Sequence, residues 1–384
     1  MGQNFRNSMR LSRINQLMRI GITCYPTYGG SGIVATELGL ELANRGHEIH
    51  FITYANPIRL DPGTPRIHYH EVEVSNYPLF QYPPYCLALA SRMAEVAEEY
   101  RLDLLHVHYA IPHSISALLA KQMMQPRVKL PFMTTLNGTD ITLVGMDRSY
   151  FPITKFSIEQ SDGITSISED LRRQTVETFG VGNEIRVIHN FVNVDLYKPL
   201  PDREDPKRLI HISNFRPVKR VLDCIHILAA VRREAPVHLF MVGDGPERAP
   251  AQRLARELGV ETDVTFMGKQ DHVERLIPQM HVLLLPSEME SFGLAALEGM
   301  ACGLVPVATR VGGVSELVTS DVDGFLEKVG DIQSQAARVI SLLTDESLFT
   351  RMSAAARKTA VERFSTGLII PQYERYYEDV AGAL

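Results

Sequence analysis

The sequence contains no tryptophan and only four cysteines among its 384 residues. These four, Cys24, Cys86, Cys224 and Cys302, are widely spaced and form no C-x-x-C pair. Their spacing therefore indicates neither a disulfide framework nor a zinc site. Such cysteine usage is typical of a reduced protein, and we predict a cytoplasmic location.

Long apolar runs and basic stripes are also missing. No apolar run approaches the ~20 residues that a transmembrane helix needs, which argues against a membrane partner. The formal net charge is -6, which argues against nucleic acid as a partner. Residues 1–17 are polar and lack the apolar centre of a secretory signal, so Met18 is a candidate functional start.

The pattern that is present alternates short β-branched runs with amphipathic stretches, which is typical of parallel βαβ units. A chain of 384 residues exceeds the roughly 250–300 at which a single core stops growing. We therefore predict an α/β protein of two Rossmann-like, doubly wound domains that face an interdomain cleft. The predicted boundaries are 18–192 for the first domain, 193–206 for a linker, 207–365 for the second domain, and 366–384 for an aromatic-rich helix that could pack back on the first.

Ligands of such sheets bind beyond the carboxyl ends of the strands, and two glutamates lie at one of these ends. Glu290 and Glu298 bracket a run that follows the apolar stretch Val282 to Leu285. A helix that starts near Gly293 would place the two carboxylates about two turns apart, facing one cleft. Its free N–H groups could hold a phosphate or a sugar hydroxyl. The alternative is a pair of glutamates on a solvated helix face.

Two loops in the first half follow predicted strands and are rich in glycine or in polar residues. The loop with Gly30 and Ser31 precedes a helix start that favours an anion, although it could be only a tight turn. The loop Thr134 to Asp140 follows the fifth predicted strand and suits sugar or acceptor recognition, with an Asx-type turn as the alternative. His106 and His108 share one strand face, and we expect packed or hydrogen-bonded histidines because no third metal ligand is near.

A basic segment begins the second predicted domain. Asn214, Arg216 and Lys219 lie where a strand ends and a helix begins. Cations at a helix start oppose the helix dipole unless an anion arrives, and a diphosphate would supply that anion. A solvated basic turn is the alternative. The turn at Gly243 follows the next strand and could edge a nucleotide base.

The order of these motifs resembles the GT-B retaining glycosyltransferases of family four, from about Arg19 to the C-terminus. The resemblance is strongest to the bacillithiol-pathway branch, which joins N-acetylglucosamine to L-malate. It implies UDP-GlcNAc as donor, L-malate as acceptor, retention of the α configuration, and no metal or other cofactor. Whether the protein forms a homo-oligomer stays open.

The same resemblance implies roles for individual residues. Lys219, helped by Arg216, would neutralise the diphosphate, while Glu290 would bind the donor sugar and Glu298 the ribose. Further donor contacts are implied at Gly30, Asn214, Gly243, Ser291, Phe292, Gly293 and Leu294. The acceptor would contact Ser31, Tyr109 and Thr135.

The chain departs from the family pattern at two positions. Asn214 stands where many members carry arginine, which shifts the cationic role to Arg216 and Lys219. Asn137 stands where the family has histidine in a His-Gly-Thr-Asp loop. Asparagine can hydrogen-bond a hydroxyl but carries no proton, so an acid–base role at this catalytic position is in question.

Retention without an obvious nucleophile favours front-face displacement, in which the UDP phosphate takes the acceptor proton. Three alternatives stay open: another acceptor such as inositol phosphate or a lipid-linked sugar, a UDP-GlcNAc epimerase of the same fold, and a non-catalytic nucleotide-sugar sensor. A lipid acceptor would favour a basic amphipathic helix in the first half, whereas the stretch from Tyr85 to Tyr100 is acidic.

Overall fold

The computed structural model describes residues 17–27, 29–61, 63–75, 78–79, 81–201, 203 and 207–382. The polar segment up to residue 16 and part of the predicted linker, at 202 and 204–206, lie outside these ranges. In the described part of the chain, no helix is both long and apolar enough to cross a membrane.

The first half builds a sheet of seven parallel strands. They are β1 (Arg19–Thr23), β2 (Glu48–Thr53), β3 (Ile67–Glu71), β4 (Leu104–His108), β5 (Phe132–Leu136), β6 (Gly163–Ser166) and β7 (Arg186–Val187). Their order is β3-β2-β1-β4-β5-β6-β7. Every residue of β4 and β5 is buried, because helices cover both faces of the sheet. The strand order reverses between β1 and β4, which is where such sheets bind ligands.

Among the residues that the structure describes, the first half of the chain forms six α-helices. They are α1 (Gly30–Asn44), α2 (Tyr85–Tyr100), α3 (Ile115–Met124), α4 (Thr139–Thr142), α5 (Phe151–Glu159) and α6 (Glu169–Phe179). Local sequence sets the ends of α6. The Ser168 hydroxyl accepts the N–H of Leu171, and Gly180 ends the helix at a φ of 59°.

The second half builds a sheet of six parallel strands. They are β8 (Lys207–Ile212), β9 (Val237–Val242), β10 (Val264–Gly268), β11 (Val282–Leu285), β12 (Val305–Thr309) and β13 (Phe325–Glu327). Their order is β10-β9-β8-β11-β12-β13, which reverses between β8 and β11. The predicted α/β fold of two Rossmann-like parallel-sheet domains is thereby confirmed.

Seven helices follow or flank the second sheet. They are α7 (Val221–Val231), α8 (Arg248–Glu257), α9 (Leu294–Ala301), α10 (Val314–Leu317), α11 (Ile332–Thr344), α12 (Glu346–Phe364) and α13 (Thr366–Gly382). The amphipathic spacing of Val273 to Met280 predicts a further helix, and this prediction is wrong. Two short 3-10 turns, Val273–Arg275 and Ile277–Gln279, stand there because Pro278 lacks the N–H that a continuous helix needs.

The last helix, α13, packs on the first sheet and not on the second. Tyr377 Oη lies 2.8 Å from Nδ1 of His106 in β4, and Tyr376 Oη accepts the N–H of Ile164 in β6. Glu374 accepts a hydrogen bond from Arg45, at the end of α1. The chain therefore crosses between domains twice, and its C-terminal helix belongs to the first core.

Candidate active site

A cavity of about 230 Å³ lies between the carboxyl ends of the two sheets, with walls from both domains. The first domain contributes Gly29, Gly30, Ile33, Ile58 and Arg59. The polar wall from the second domain consists of Ser213, Asn214, Lys219, Gly243, Asp244, Lys269, Gln270, Asp271, Glu290 and Glu298. Seven residues singled out in the sequence thus line one cavity: Gly30, Asn214, Lys219, Gly243, Glu290, Leu294 and Glu298.

Lys219 reaches the cavity from a short 3-10 turn, Pro217–Lys219, between β8 and α7. Arg220 then turns the chain into α7 at a φ of 49°. The Lys219 ammonium forms an ion pair with the Glu290 carboxylate across the cavity, and both side chains are mostly buried. Because the lysine already has a carboxylate partner, the cleft of this structure holds a pair of balanced charges and not an isolated cation.

The segment from Glu290 to Glu298 joins β11 to α9. Gly293 precedes the helix at a φ of 91°, and no side chain caps the helix start. The Phe292 side chain is 1% exposed and packs in the core, which fixes the backbone of the turn. A Cβ on Gly30 would lie 3.8 Å from Leu294 of α9, so the two glycine-containing turns face each other across the cleft.

Glu298 lines the cavity and is buried. Tyr197 donates a hydrogen bond of 2.8 Å to its Oε1, and Nη1 of Arg59 lies 3.7 Å from the same oxygen. Burial raises the pKa of Glu298, while Arg59 and Tyr197 counteract that rise. Arg59 and Tyr197 carry no motif, and the sequence analysis did not identify them.

Gly243 allows the strand ends of β8 and β9 to approach each other. Its φ is 122°, and a Cβ there would lie 1.7 Å from the carbonyl oxygen of Ser213. No other residue type fits this position without movement of the backbone. The neighbouring Asn214 and Ser213 are thereby held against the cavity wall.

Next to Gly30, which lines the cavity, the first domain carries a connected group of hydroxyls. Ser31 Oγ lies 2.9 Å from Tyr109 Oη, which in turn lies 3.2 Å from Thr139 Oγ1. Burial raises the pKa of Tyr109, and the positive charge of Arg216 acts in the opposite direction. Arg216 itself is exposed and does not line the cavity. It lies close enough to Tyr109 for its charge to act on that hydroxyl.

The loop that follows β5 is fixed by Asp140. Its buried carboxylate accepts the N–H groups of Ala110, Asn137 and Gly138 at 3.0, 3.2 and 2.9 Å. Burial raises the pKa of Asp140, and these N–H groups counteract the rise. A Cβ on Gly138 would lie 1.8 Å from Oγ of Ser291, so this loop touches the Glu290 turn of the other domain.

Two predicted site residues are placed less favourably. The structure does not bring the Thr135 side chain to the cleft: its hydroxyl is fully buried in β5, 2.7 Å from Nε2 of His106 and 2.6 Å from the Thr165 hydroxyl. Asn137 is 8% exposed, and its amide donates to the carbonyl oxygen of Thr135. The Asn137 side chain thus holds its own loop.

The two histidines of β4 are buried and their rings pack against each other, and His106 also contacts Tyr373 and Tyr377 of α13. Within the described residues, one group has potential metal-ligand atoms within 4.8 Å of one another, namely Glu48, His50 and His68 on β2 and β3. The rings of His50 and His68 are stacked at an interplanar angle of 17°. Their nitrogen lone pairs therefore lie in nearly parallel planes and do not converge on one point.

The two facing sheets, with a ligand-sized cavity between the carboxyl ends of their strands, define the GT-B architecture. Two family models match successive parts of the chain, Glycosyltransferase Family 4 over residues 28–196 and Glycosyl transferases group 1 over residues 195–359. N-acetyl-alpha-D-glucosaminyl L-malate synthase of Bacillus anthracis is 48% identical over 94% of this chain and 97% of its own length. The chain therefore belongs to the family-four glycosyltransferases of the GT-B fold, and it is an enzyme.

More distant proteins share the fold. Sucrose-phosphate synthase of Thermosynechococcus elongatus has a TM-score of 0.79 at 21% identity, over 96% of this chain and 100% of that chain. An Anabaena protein solved with UDP and glucose has a TM-score of 0.78 at 20% identity, over 94% of this chain and 99% of its own. The D-inositol 3-phosphate glycosyltransferase of Mycobacterium marinum is 24% identical over 91% of this chain and 82% of its own length.

Proposed function

We propose that the protein transfers N-acetylglucosamine from UDP-GlcNAc to the hydroxyl of L-malate with retention, the first step of bacillithiol biosynthesis. The name and 48% identity of the Bacillus anthracis relative support this donor and acceptor. The observation that carries the proposal is the interdomain cavity, which is lined by the paired Lys219 and Glu290 and by Glu298. Such a cavity offers a cation for a diphosphate and two carboxylates for the hydroxyl groups of a sugar and a ribose.

Each part of the donor has a complementary group in the proposal. Lys219 donates to the diphosphate, and the open N–H groups from Phe292 to Leu294 add to that contact. Glu290 accepts hydroxyl groups of the sugar, and Glu298 accepts those of the ribose. Gly30 lets the backbone of the first domain approach the phosphates.

The acceptor binds on the opposite wall. Ser31 and Tyr109 offer hydroxyl groups, and Thr139 joins them in place of the buried Thr135. Arg216, exposed beside Tyr109, supplies a positive charge to a carboxylate of the acceptor or to the diphosphate. Asn137 supports the loop through its hydrogen bond to the carbonyl oxygen of Thr135 and carries no proton in the proposed mechanism.

The reaction proceeds on one face of the sugar. The bond between the anomeric carbon and the UDP phosphate oxygen breaks, the malate hydroxyl oxygen forms the new bond, and its proton passes to the departing phosphate. The protein supplies positioning and a preorganised positive charge, which are effective in a cleft that excludes water. This mechanism assigns no step to a metal.

The test is to incubate the protein with UDP-GlcNAc and one acceptor at a time, and to measure UDP release. The acceptors are L-malate, D-malate, lactate and inositol 3-phosphate. We expect fast release with L-malate and an α-linked product. UDP release that depends on inositol 3-phosphate would show that this compound, and not L-malate, is the acceptor. Conversion of UDP-GlcNAc without UDP release would indicate an epimerase. Binding of UDP-GlcNAc without turnover would indicate a sensor.

A further inference from the structure

A largely buried group of charged residues joins the two domains at the wall of the donor cavity. Arg59 follows β2 and donates from Nη1 to Oε1 of Glu37 in α1, at 3.2 Å. The same nitrogen lies 3.7 Å from Oε1 of Glu298 in α9 of the other domain. The Arg59 side chain is 13% exposed and that of Glu298 is 8% exposed, so the pair is largely shielded from water.

The contact between Arg59 and Glu298 is close but incomplete. A separation of 3.7 Å is an ion pair and is too long for a hydrogen bond. A guanidinium has five N–H donors, and among the residues that the structure describes Arg59 makes one hydrogen bond, to Glu37. Donor capacity is therefore left beside the Glu298 carboxylate, on the wall of the cavity.

The backbone of Arg59 is held in an unusual conformation. Its φ is 68°, in the left-handed region that side chains other than glycine seldom adopt. Such residues persist where the surroundings fix them, and they are frequent at ligand sites. Here the conformation directs a long side chain into the cleft, where it meets a carboxylate of the second domain.

We propose that Arg59 is a donor-binding residue that binds the ribose together with Glu298. The first domain then contributes to recognition of the nucleoside. This inference rests on the proposed UDP-sugar donor. The vicinal hydroxyls of a ribose both donate and accept hydrogen bonds, whereas a carboxylate only accepts. Glu298 accepts the two hydroxyl protons, and Arg59 donates to a ribose oxygen from the other side.

This arrangement makes ribose binding depend on both domains. The carboxylate lies on α9 and the guanidinium on the loop after β2, so a ribose contacts both only when the cleft is closed around it. Tyr197, which also donates to Glu298, keeps the carboxylate oriented in either case. Arg59 thus positions the donor without contact to the reacting atoms.

The experiment compares two nucleotides on three variants. Binding of UDP and of 2′,3′-dideoxy-UDP is measured by calorimetry for the wild type, Arg59→Ala and Arg59→Lys. Arg66→Ala is the matched control, because Arg66 lies in the same loop at a φ of 62° with an exposed side chain. Arg59→Lys keeps the positive charge between two buried carboxylates and therefore guards against loss of folding in Arg59→Ala.

We expect Arg59→Ala to weaken UDP binding by about 10- to 100-fold, as for loss of a hydrogen bond from a charged group, and to weaken dideoxy-UDP binding by less than about threefold. Arg59→Lys should lie between, and Arg66→Ala should match the wild type. Equal losses for both nucleotides would show a purely structural role, and no loss for either would also overturn the inference.

Failure of this inference is separable from failure of the proposed function. The calorimetric test uses UDP alone and requires no acceptor, whereas the proposed transfer is judged by UDP release in the presence of malate. A protein that prefers UDP over dideoxy-UDP through Arg59 but does not use malate would retain this inference and lose the proposed acceptor.

Discussion

At the scale of single residues, the ion pair of Lys219 and Glu290 is the most informative feature of the cleft. Cations near the start of α7 were expected to be costly without an anion, and the structure shows carboxylates in that place. Lys219 pairs with Glu290, and Arg220 donates to Asp223 at 2.6 Å. A diphosphate that enters the cavity must therefore compete with Glu290 for the lysine.

Replacement of Lys219 by alanine tests its role directly. We expect kcat/KM for UDP-GlcNAc to fall by about 10²- to 10³-fold, because a preorganised cation at the departing phosphate contributes that much in comparable sites. Lys358→Ala, on the exposed side of α12, is the control and should leave kcat/KM unchanged. Unchanged turnover and UDP affinity in Lys219→Ala would remove the lysine from the phosphate site.

The site residues that could be predicted from the sequence are those that lie at strand ends. Lys219, Glu290, Glu298 and Gly30 flank strand ends, and strand ends of parallel sheets meet at one edge, so the structure brings them to one cavity. Arg59 has no such signal, because a loop of irregular backbone carries it to the cleft. Thr135 was expected at a strand end, but β5 continues through Leu136, which leaves its hydroxyl in the core.

At the scale of elements, helix α13 packs on the sheet of the first domain. Its amphipathic, aromatic-rich sequence predicts a helix that could pack there, and the structure adds which side chains make the contact. Tyr377 and Tyr373 lie on one face of α13, and both side chains are fully buried. Tyr377 Oη lies 2.8 Å from Nδ1 of His106, whereas the Tyr373 hydroxyl lies near Thr135 without a hydrogen bond of normal geometry.

These two tyrosines form a matched pair of substitutions. Tyr377→Phe removes a hydrogen bond and leaves His106 without that partner, so we expect the free energy of unfolding to fall by about 1–2 kcal/mol. Tyr373→Phe should change it by less than about 0.5 kcal/mol, since no hydrogen bond is lost. Urea unfolding of both variants checks this, and equal effects would contradict the assigned contact.

The docking of α13 is also expected to depend on pH. The hydrogen bond from His47 is the largest cause that lowers the pKa of Glu374 below its ordinary value of 4.5. A lowered pKa of an acid means that its stabilisation is present above that ordinary value and is lost as the pH falls through the lowered one.

Glu374→Gln should therefore be less stable than the wild type at pH 6, and the difference should shrink as the pH falls below 4.5 and through the lowered pKa of Glu374. Thermal unfolding at a series of pH values measures the difference. Glu378→Gln, at a half-buried position on the same helix, is the control. A gap that stays constant down to pH 3 would show that the Glu374 charge does not hold the helix.

The strands were easier to predict than the helices of the second half, for a physical reason. Buried parallel strands are short and almost wholly apolar, as in Val282–Leu285, and stand out from their surroundings. The strand β13 has only three residues, Phe325–Glu327, which is too short for a pattern. Pro278 broke a stretch whose amphipathic spacing otherwise predicts a helix.

At the scale of the whole molecule, the two domains touch at a glycine. Gly138 has a φ of 122°, and a Cβ there would overlap Oγ of Ser291 in the facing turn. The turn that contains Glu290 and the loop that contains Gly138 can therefore approach this closely because glycine has no Cβ. The close contact is what places the proposed sugar and acceptor sites side by side.

Gly138→Ala should hold the domains apart. We expect kcat/KM to fall by at least about 10²-fold, because small displacements of the reacting groups carry such costs. Small-angle scattering with UDP should show a larger radius of gyration than the wild type. Gly182→Ala, where no atom lies within 4 Å of the added Cβ, is the control. A compact and active Gly138→Ala enzyme would show that closure does not need this contact.

The central claim is that the interdomain cavity binds a uridine diphosphate sugar between Lys219 and Glu298. A crystal structure of the complex with UDP-GlcNAc tests it most directly. We expect the diphosphate to lie within hydrogen-bond distance of Lys219 Nζ, the ribose hydroxyls to contact the Glu298 carboxylate, and the sugar to contact Glu290. A nucleotide sugar bound with its diphosphate away from Lys219, or outside this cavity, would show that the site is assigned wrongly.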